Sequence, residues 1–338
     1  MEMAARPPAP HNYIPARVDD YGRDDGERPD VPPGSPVKGD PPAIGLSAWR
    51  GRGSGSLADY IYVAPALALV LGLVYYSVGF TIWVSTLNWN GVSPFHQFVG
   101  GQNYADLVHD PTFWLAIEHV AEFIGLIFVQ MGLGFVFAVI LHSRMRLKSL
   151  YKAFLFLPVV IAPAVMAPTF DQIFSVNGQV NTALRAVGLG SLQHAWLADP
   201  NTAIFVLMAI TIWQGTGFSF MLYYASLTQV DPEVVEAARI DGAGSLRIVT
   251  RILLPMAGRT TTTLIVLGTI ATMKTFDIPE IVTAGGPANS TQFLATYIYQ
   301  QGITQFKAGY AASLTVVLMT VSLILTVLQL TVTRRTAK

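Results

Sequence analysis

The sequence predicts an all-α, polytopic membrane protein with six spanning helices, and three observations carry that expectation. The 338 residues are 52% hydrophobic and only 12% charged, against about a quarter charged in an ordinary soluble domain, so the apolar excess calls for an apolar solvent. Six apolar runs recur at about 61–87, 115–141, 153–176, 203–228, 260–283 and 309–333. Each is close to the roughly 20 residues a helix needs to cross the hydrocarbon of a bilayer. Between them, Lys and Arg gather in alternate connections, the pattern of a chain threaded back and forth through a membrane.

Ahead of the first run, residues 1–56 hold ten of the 21 prolines together with many Asp, Arg and Gly, and show no helical or strand periodicity. Such a segment buries too little apolar surface to offset its ordering entropy. The expectation is a disordered cytoplasmic tail over 1–56 and a membrane domain over 57–338. The tail lacks the apolar stretch and small-residue cleavage site of a secretory signal, so it reads as retained.

Orientation follows from the basic residues. Between Arg52 and Arg144 there is no Lys or Arg, so the connection after the first span, with Asp106, Asp110 and Glu118, reads as external. The next connection carries Arg144, Arg146, Lys148 and Lys152, and the one between the fourth and fifth spans carries Arg239, Arg247, Arg251 and Arg259. These are internal loops. Arg334, Arg335 and Lys338 close the chain, which puts both termini in the cytoplasm and the protein in the cytoplasmic membrane, surrounded by lipid. The remaining external loops hold chiefly Arg185 and Lys307. Pro158 and Pro163 fall inside the third span, where neighbouring helices re-satisfy the freed backbone groups.

The connection between the fourth and fifth spans is too polar to be a seventh crossing and too regular to be a mere linker. Asp231 suits an N-cap and Pro232 the first helical position, where its missing N–H costs nothing. Gly242 offers a left-handed C-cap about ten residues later. Ser245 can then cap a second helix leading through Pro255 into the fifth span. The result is a helix–turn–helix projecting into the cytoplasm, with Ala237, Ala238 and Ala243 giving close access to its turn and Glu236, Arg239 and Asp241 available for polar contacts. The residues alone leave two readings open: a plug for a partner's socket, and an amphipathic connector lying on the membrane surface.

Several function classes drop out. A formal net charge of zero, with no basic patch interleaved with aromatics, argues against nucleic acid as a partner. The absence of cysteine excludes disulfides, thiolate metal sites and cysteine nucleophiles. No Ser/His/Asp set is evident, and the six histidines include no paired metal spacing; His109 and His119 are expected to be solvated, in or beside an external loop. No phosphate-binding loop occurs, Gly258-Arg259-Thr260 lacking both the first glycine and the lysine, so no catalytic residue, metal or cofactor is expected on this chain. Polar groups at membrane depth are costly and mark candidate solute pathways: Gln130, Trp213, Gln214, Tyr223, Tyr224, Lys274 and Asp277. Aromatic faces with amide partners suit a polyhydroxylated solute. Against that, the two glutamines can bond across helices, the tyrosines can belong to an interfacial belt, and Lys274 and Asp277, three residues apart on the fifth helix, can neutralise one another.

The string Glu236-Ala237-Ala238, three residues, Gly242, nine residues, Ile252, one residue, Leu254-Pro255 resembles the EAA motif of permease subunits of ATP-binding-cassette importers. Phe98-Val99-Gly100, Gln102-Asn103-Tyr104, Asp110-Pro111 with Phe113-Trp114, Leu157-Pro158, Trp213 with Gly217-Phe218, Phe276-Asp277 and Thr283-Ala284-Gly285-Gly286-Pro287 extend the likeness, over about 58–333, to the maltose-type carbohydrate permeases. Gly101 stands where that family carries a bulkier residue. The resemblance implies the type I importer fold, with the cytoplasmic helix between spans 4 and 5 acting as a coupling helix. Glu236, Ala237, Ala238, Arg239, Asp241, Gly242 and Ala243 would then meet an ATPase subunit, and Ile252, Leu254 and Pro255 would anchor the second helix. It implies as partners a second permease subunit in a heterodimer, two ATPase subunits that hold the ATP and Mg, and an extracytoplasmic solute-binding protein. The cargo would be a sugar, with glycerol phosphate or a polyol as the alternative; since only Lys274 supplies a cation within a span, the reading leans to a neutral sugar. An ion-coupled secondary transporter, which would show ionisable relays within its helices, and a membrane scaffold are the rivals from other classes.

Overall fold

A computed structural model describes residues 57–143 and 145–336; the tail expected over 1–56 lies outside the described residues. The chain is helical almost throughout. In order come α1 (Leu57–Leu69), a π turn over Val70–Tyr75, α2 (Tyr76–Val84), α3 (Gln102–Val108), α4 (Pro111–His142), α5 (Lys148–Val160), α6 (Pro163–Phe174), α7 (Gln179–Ala186) and α8 (Pro200–Leu227). Then follow α9 (Pro232–Ile240), α10 (Ser245–Ile248), a second π turn (Val249–Leu253), α11 (Leu254–Met256), α12 (Gly258–Met273), α13 (Asp277–Thr283), α14 (Leu294–Tyr299), a third π turn (Gln300–Thr304) and α15 (Ala308–Thr336). Among the described residues the β structure is one two-residue pair, β1 (Leu87–Asn88) against β2 (Gln97–Phe98), with Leu87 opposite Phe98.

One sequence device opens three of the helices. Asp110-Pro111, Asp199-Pro200 and Asp231-Pro232 each place an aspartate at the N-cap and a proline at the first position, and the carboxylates accept from the N–H of Thr112 (2.8 Å), Asn201 (2.8 Å) and Glu233 (3.0 Å). Proline arrives with the right φ and no donor to satisfy, and each such cap contributes about 1 kcal/mol.

Four helical stretches are long and apolar enough to cross a membrane unbroken: Tyr62–Val84, Pro111–His142, Pro200–Leu227 and Ala308–Thr331. Two bent pairs bring the number up to six if each is counted as one span, and here the structure interrupts two of the expected spans. The third is not one rod over 153–176: α5 stops at Val160, the extended Ile161 and Ala162 intervene, and Pro163 opens α6, the pair turning through 97°. Pro158 is carried inside α5; the break comes where Pro163 forbids its predecessor a helical conformation. The fifth is not continuous over 260–283, because α12 ends at Met273 and Phe276, at φ −139°, separates it from α13.

The centre of the bundle is α4 against α8. In lipid there is no hydrophobic drive between helices, so packing must come from close backbone approach at small residues. Gly134 supplies it: a Cβ there would lie 2.6 Å from the Ser219 Cβ and 2.7 Å from the Phe220 nitrogen. Towards the N-terminal end of α4, Phe113, Phe123, Leu207, Ile210, Phe293 and Leu314 form one core; towards its C-terminal end, Met131, Phe135, Phe220, Tyr223, Leu227 and Leu253 form another. Threonines within the spans satisfy their hydroxyls on their own helix four residues back, as Thr211 does on the Leu207 carbonyl (2.8 Å) and Thr269 on Ile265 (2.8 Å). His119, expected to be solvated, is instead buried in α4 with Nδ1 at 2.8 Å from the Gln292 carbonyl; a polar tip with a backbone partner makes an imidazole tolerable in a core. His109 is exposed, its ring bound to the Ala105 carbonyl at 2.8 Å.

Candidate functional site

The elbow between α8 and α12 is built by local rules. From its Asp231 cap, α9 runs to Ile240 with Asp241 at the C-cap. Gly242 then takes φ +78°, its N–H reaching the Arg239 carbonyl (3.0 Å) while the Ala243 N–H reaches Ala238 (2.9 Å). These two bonds are the Schellman motif, and the paired alanines supply its apolar contact. The second helix departs from expectation in one respect: Gly244, not Ser245, is its N-cap, and Ser245 is the first helical residue, with no capping bond from its side chain.

The elbow has two faces. Val235, Ala238, Ala243, Ile248, Ile252 and Leu253 pack inward on the core of Phe220, Tyr223 and Leu227. Ala238 and Ala243 therefore close the turn on their own chain. Away from that core, Ala237, Asp241 and Gly242 are exposed, together with Ile240 at 87% and Leu246 at 77% exposure; Glu236 and Arg239 are exposed too, at the mouth of a cavity behind the elbow. Leu254 and Pro255 are exposed as well, at the end of the second helix. Two large aliphatic side chains are thus exposed among charged ones, Arg247 and Arg251 included. The segment Ser245–Met256 runs on into α12 through a 65° bend at Ala257.

The second site lies where two spans break. A cavity of about 380 Å³ is lined by Gln130 of α4, Gln214 and Phe218 of α8, Pro163 of α6, and Lys274, Phe276 and Asp277 at the break after α12. Four of the seven residues singled out from the sequence thus converge. Gln130 donates to the Thr211 carbonyl at 3.1 Å. Lys274 and Asp277 do not neutralise one another, since the helix they were expected to share ends between them; among the described residues the one ion pair is His194–Asp199 at 2.7 Å.

The other three lie elsewhere. Trp213 stands edge-on to Phe170 at 5.5 Å. Tyr223 is buried in the inner core, its hydroxyl 2.9 Å from that of Thr261 and its ring against Phe135. Tyr224 lies beneath the Lys152 ammonium (3.8 Å to the ring centroid) and lines a cavity of about 740 Å³ behind the elbow, with Lys148, Glu236 and Arg239.

A third cluster went unseen in the sequence. Asp110, besides capping α4, accepts hydrogen bonds from the hydroxyls of Tyr297 and of Tyr310 (2.6 Å). Burial alone pushes its carboxyl up, but the hydrogen bonds it accepts outweigh that and hold it below the usual carboxylate range. Burial and the neighbouring carboxylate push the Tyr297 phenol up. Residues so far apart in sequence leave no local signal; Asp110-Pro111 entered the sequence reading only as part of the family likeness.

An exposed elbow running into a membrane helix that ends at a polar cavity defines the class, a transport subunit of the membrane-embedded kind. The family follows from comparison: residues 43–338 match the model for the binding-protein-dependent transport system inner membrane component, and the chain belongs to that family. It is 32% identical to the probable ABC transporter permease protein YurN of Bacillus subtilis, over 81% of this chain and 95% of that one. It is 31% identical to the lactose transport system permease protein LacF of Rhizobium radiobacter (80% and 92% covered). To the sn-glycerol-3-phosphate transport system permease protein UgpA of Salmonella choleraesuis it is 31% identical (84% and 96%). Among solved structures, a bacterial ABC transporter that imports the acidic polysaccharide alginate superposes with a TM-score of 0.72 at 21% identity, covering 83% of this chain and 96% of that one, which shows the fold. The chain is therefore an ABC importer permease, a transport component with several membrane-spanning helices.

Proposed function

We propose that the chain carries a neutral, polyhydroxylated solute of the sugar class through the cavity between its broken spans, driven by ATPase subunits that dock on the Asp231–Pro255 elbow. One observation carries the reading: the elbow and the cavity are the two ends of one element. Ser245–Met256 bends once at Ala257 into α12, and α12 ends at Met273, its C-cap Lys274 lying in the cavity wall. Closure of paired ATPases, which hold the ATP and Mg, would move the docked elbow and re-aim the cavity between the two sides of the membrane, a rigid-body two-state change. A second permease subunit completes the pore, an extracytoplasmic solute-binding protein delivers cargo to the outer loops, and both termini lie in the cytoplasm. Gln130 and Gln214 offer amide donors and acceptors to hydroxyls, and Phe218 and Phe276 offer apolar faces, the combination a sugar requires.

A second reading, a glycerol-phosphate or polyol cargo, is favoured by Lys274, which lines the cavity and has no ion-pair partner among the described residues, and by the likeness to UgpA. Uptake into proteoliposomes holding the assembled transporter decides: ATP-dependent accumulation of labelled lactose or another neutral sugar supports the first reading. Accumulation of glycerol 3-phosphate alone supports the second, and uptake that persists without ATP but collapses with an uncoupler removes both.

A further inference from the structure

On the face opposite the elbow lies a separate polar cup of about 440 Å³, within the size range of small-molecule sites. Among its lining residues is Gln301, only 6% exposed, whose side-chain amide makes no hydrogen bond to the described residues. That amide is open to the cup, free to bond whatever fills it, water or solute. Gln301 sits on the π turn Gln300–Thr304, and such one-turn insertions into helices are frequent at functional sites.

The walls are complementary to one kind of ligand. Trp89 has its indole N–H committed to the Ser93 carbonyl at 2.7 Å, so the ring offers the cup an apolar plate. The Tyr297 and Tyr310 hydroxyls donate to Asp110, leaving their oxygens as acceptors. Asp106 takes one bond from Gln102 at 2.7 Å and has acceptor capacity to spare, and Lys307 completes the lining. A ring-stacking plate, one unmatched amide and a set of hydroxyl acceptors fit the faces and hydroxyls of a sugar. Two carboxylates against one ammonium repel an anion.

We propose that this cup is an outer subsite for a neutral polyhydroxylated solute, occupied before the cargo reaches the inner cavity. The proposal rests on the sugar reading of the function and on the orientation given by the basic loops.

The chain has no cysteine, so one introduced thiol reports one place. Asn88→Cys at the exposed rim, in spheroplasts treated with a membrane-impermeant maleimide, is alkylated from outside. Glucose, lactose or maltotriose is expected to slow that alkylation several-fold, with half-protection on the order of millimolar, about −4 kcal/mol. Adding Gln301→Met is expected to abolish the protection while leaving the unprotected rate unchanged. Thr275→Cys, read with a permeant maleimide, reports the inner cavity separately. Protection there without protection at Asn88→Cys overturns the outer subsite and leaves the transport reading standing. Protection at the rim that survives Gln301→Met, that is given by glycerol 3-phosphate but by none of the sugars, or no labelling from outside also overturns it.

Discussion

The Gly242 turn permits a graded test of whether the elbow works by its backbone shape. Its φ of +78° lies where an L side chain costs about 1–2 kcal/mol, and an added Cβ would meet no atom of this chain within 4 Å, so alanine introduces conformational strain without a clash. Two hydrogen bonds close the turn, each contributing about 1 kcal/mol net, so the strain is comparable to what holds the elbow shut. Gly242→Ala should therefore weaken docking by up to about tenfold, the equivalent of 1.4 kcal/mol. Gly242→Asn, a residue that tolerates the left-handed region, should stay close to the parent. Gly242→Pro fixes φ near −65° and deletes the N–H bonded to Arg239, so docking should be lost. The assay is co-purification of the ATPase subunit with the tagged chain from membranes, alongside the amount of chain inserted. If Ala, Asn and Pro all retain the ATPase equally, the shape of the turn is irrelevant and the coupling argument fails; if all three lose it equally, the contact is with the glycine surface itself.

Other outcomes follow from the same geometry. Glu236→Lys should leave insertion intact and reduce both ATPase retention and ATP-driven uptake, checked by the same co-purification and by solute flux. Gly134→Leu should destabilise the bundle by about 1–3 kcal/mol or more, because nothing at the α4–α8 crossing can give way; thermal melting in detergent measures it, and an unchanged midpoint would refute the close approach. Asp110 has a folded-state pKa below its unfolded value, so its contribution is fully present above the ordinary carboxylate pKa of about 4 and is lost as pH falls through the lowered one. Melting followed from pH 6 to pH 3 should fall at the acid end, and Asp110→Asn should flatten that fall. Lys274→Met should leave transport of a neutral sugar within a few-fold but abolish transport of an anion, read by uptake of lactose against glycerol 3-phosphate.

Much of the architecture was legible because it is set by local chemistry. Apolar run length marked the spans, and Asp231-Pro232 with Gly242 marked the elbow helix to the residue. The same Asp-Pro signal stood at positions 110 and 199 and was not used there. What escaped was set by neighbours distant in sequence. The break between Lys274 and Asp277 has no proline at its centre, so composition alone gave no reason to part them. The burial of His119 depends on the Gln292 carbonyl 173 residues away, and Tyr223, polar enough to suggest a pathway, finds Thr261 on a different helix. Membrane depth told which polar groups were expensive; only packing told which had been satisfied, leaving Gln130, Gln214, Lys274 and Asp277 around the cavity.

The bend at Ala257 sets a mechanical ratio. The 12 residues before it, five of them in the π turn of smaller rise, span less than about 18 Å and the 16 of α12 after it about 24 Å at 1.5 Å per residue. Under the proposed coupling a lever pivoting there would have a gear ratio above one, so a nudge at Ser245 would arrive at Met273 enlarged. A shorter inner arm would have muted the stroke, and a much longer one would have traded away its force.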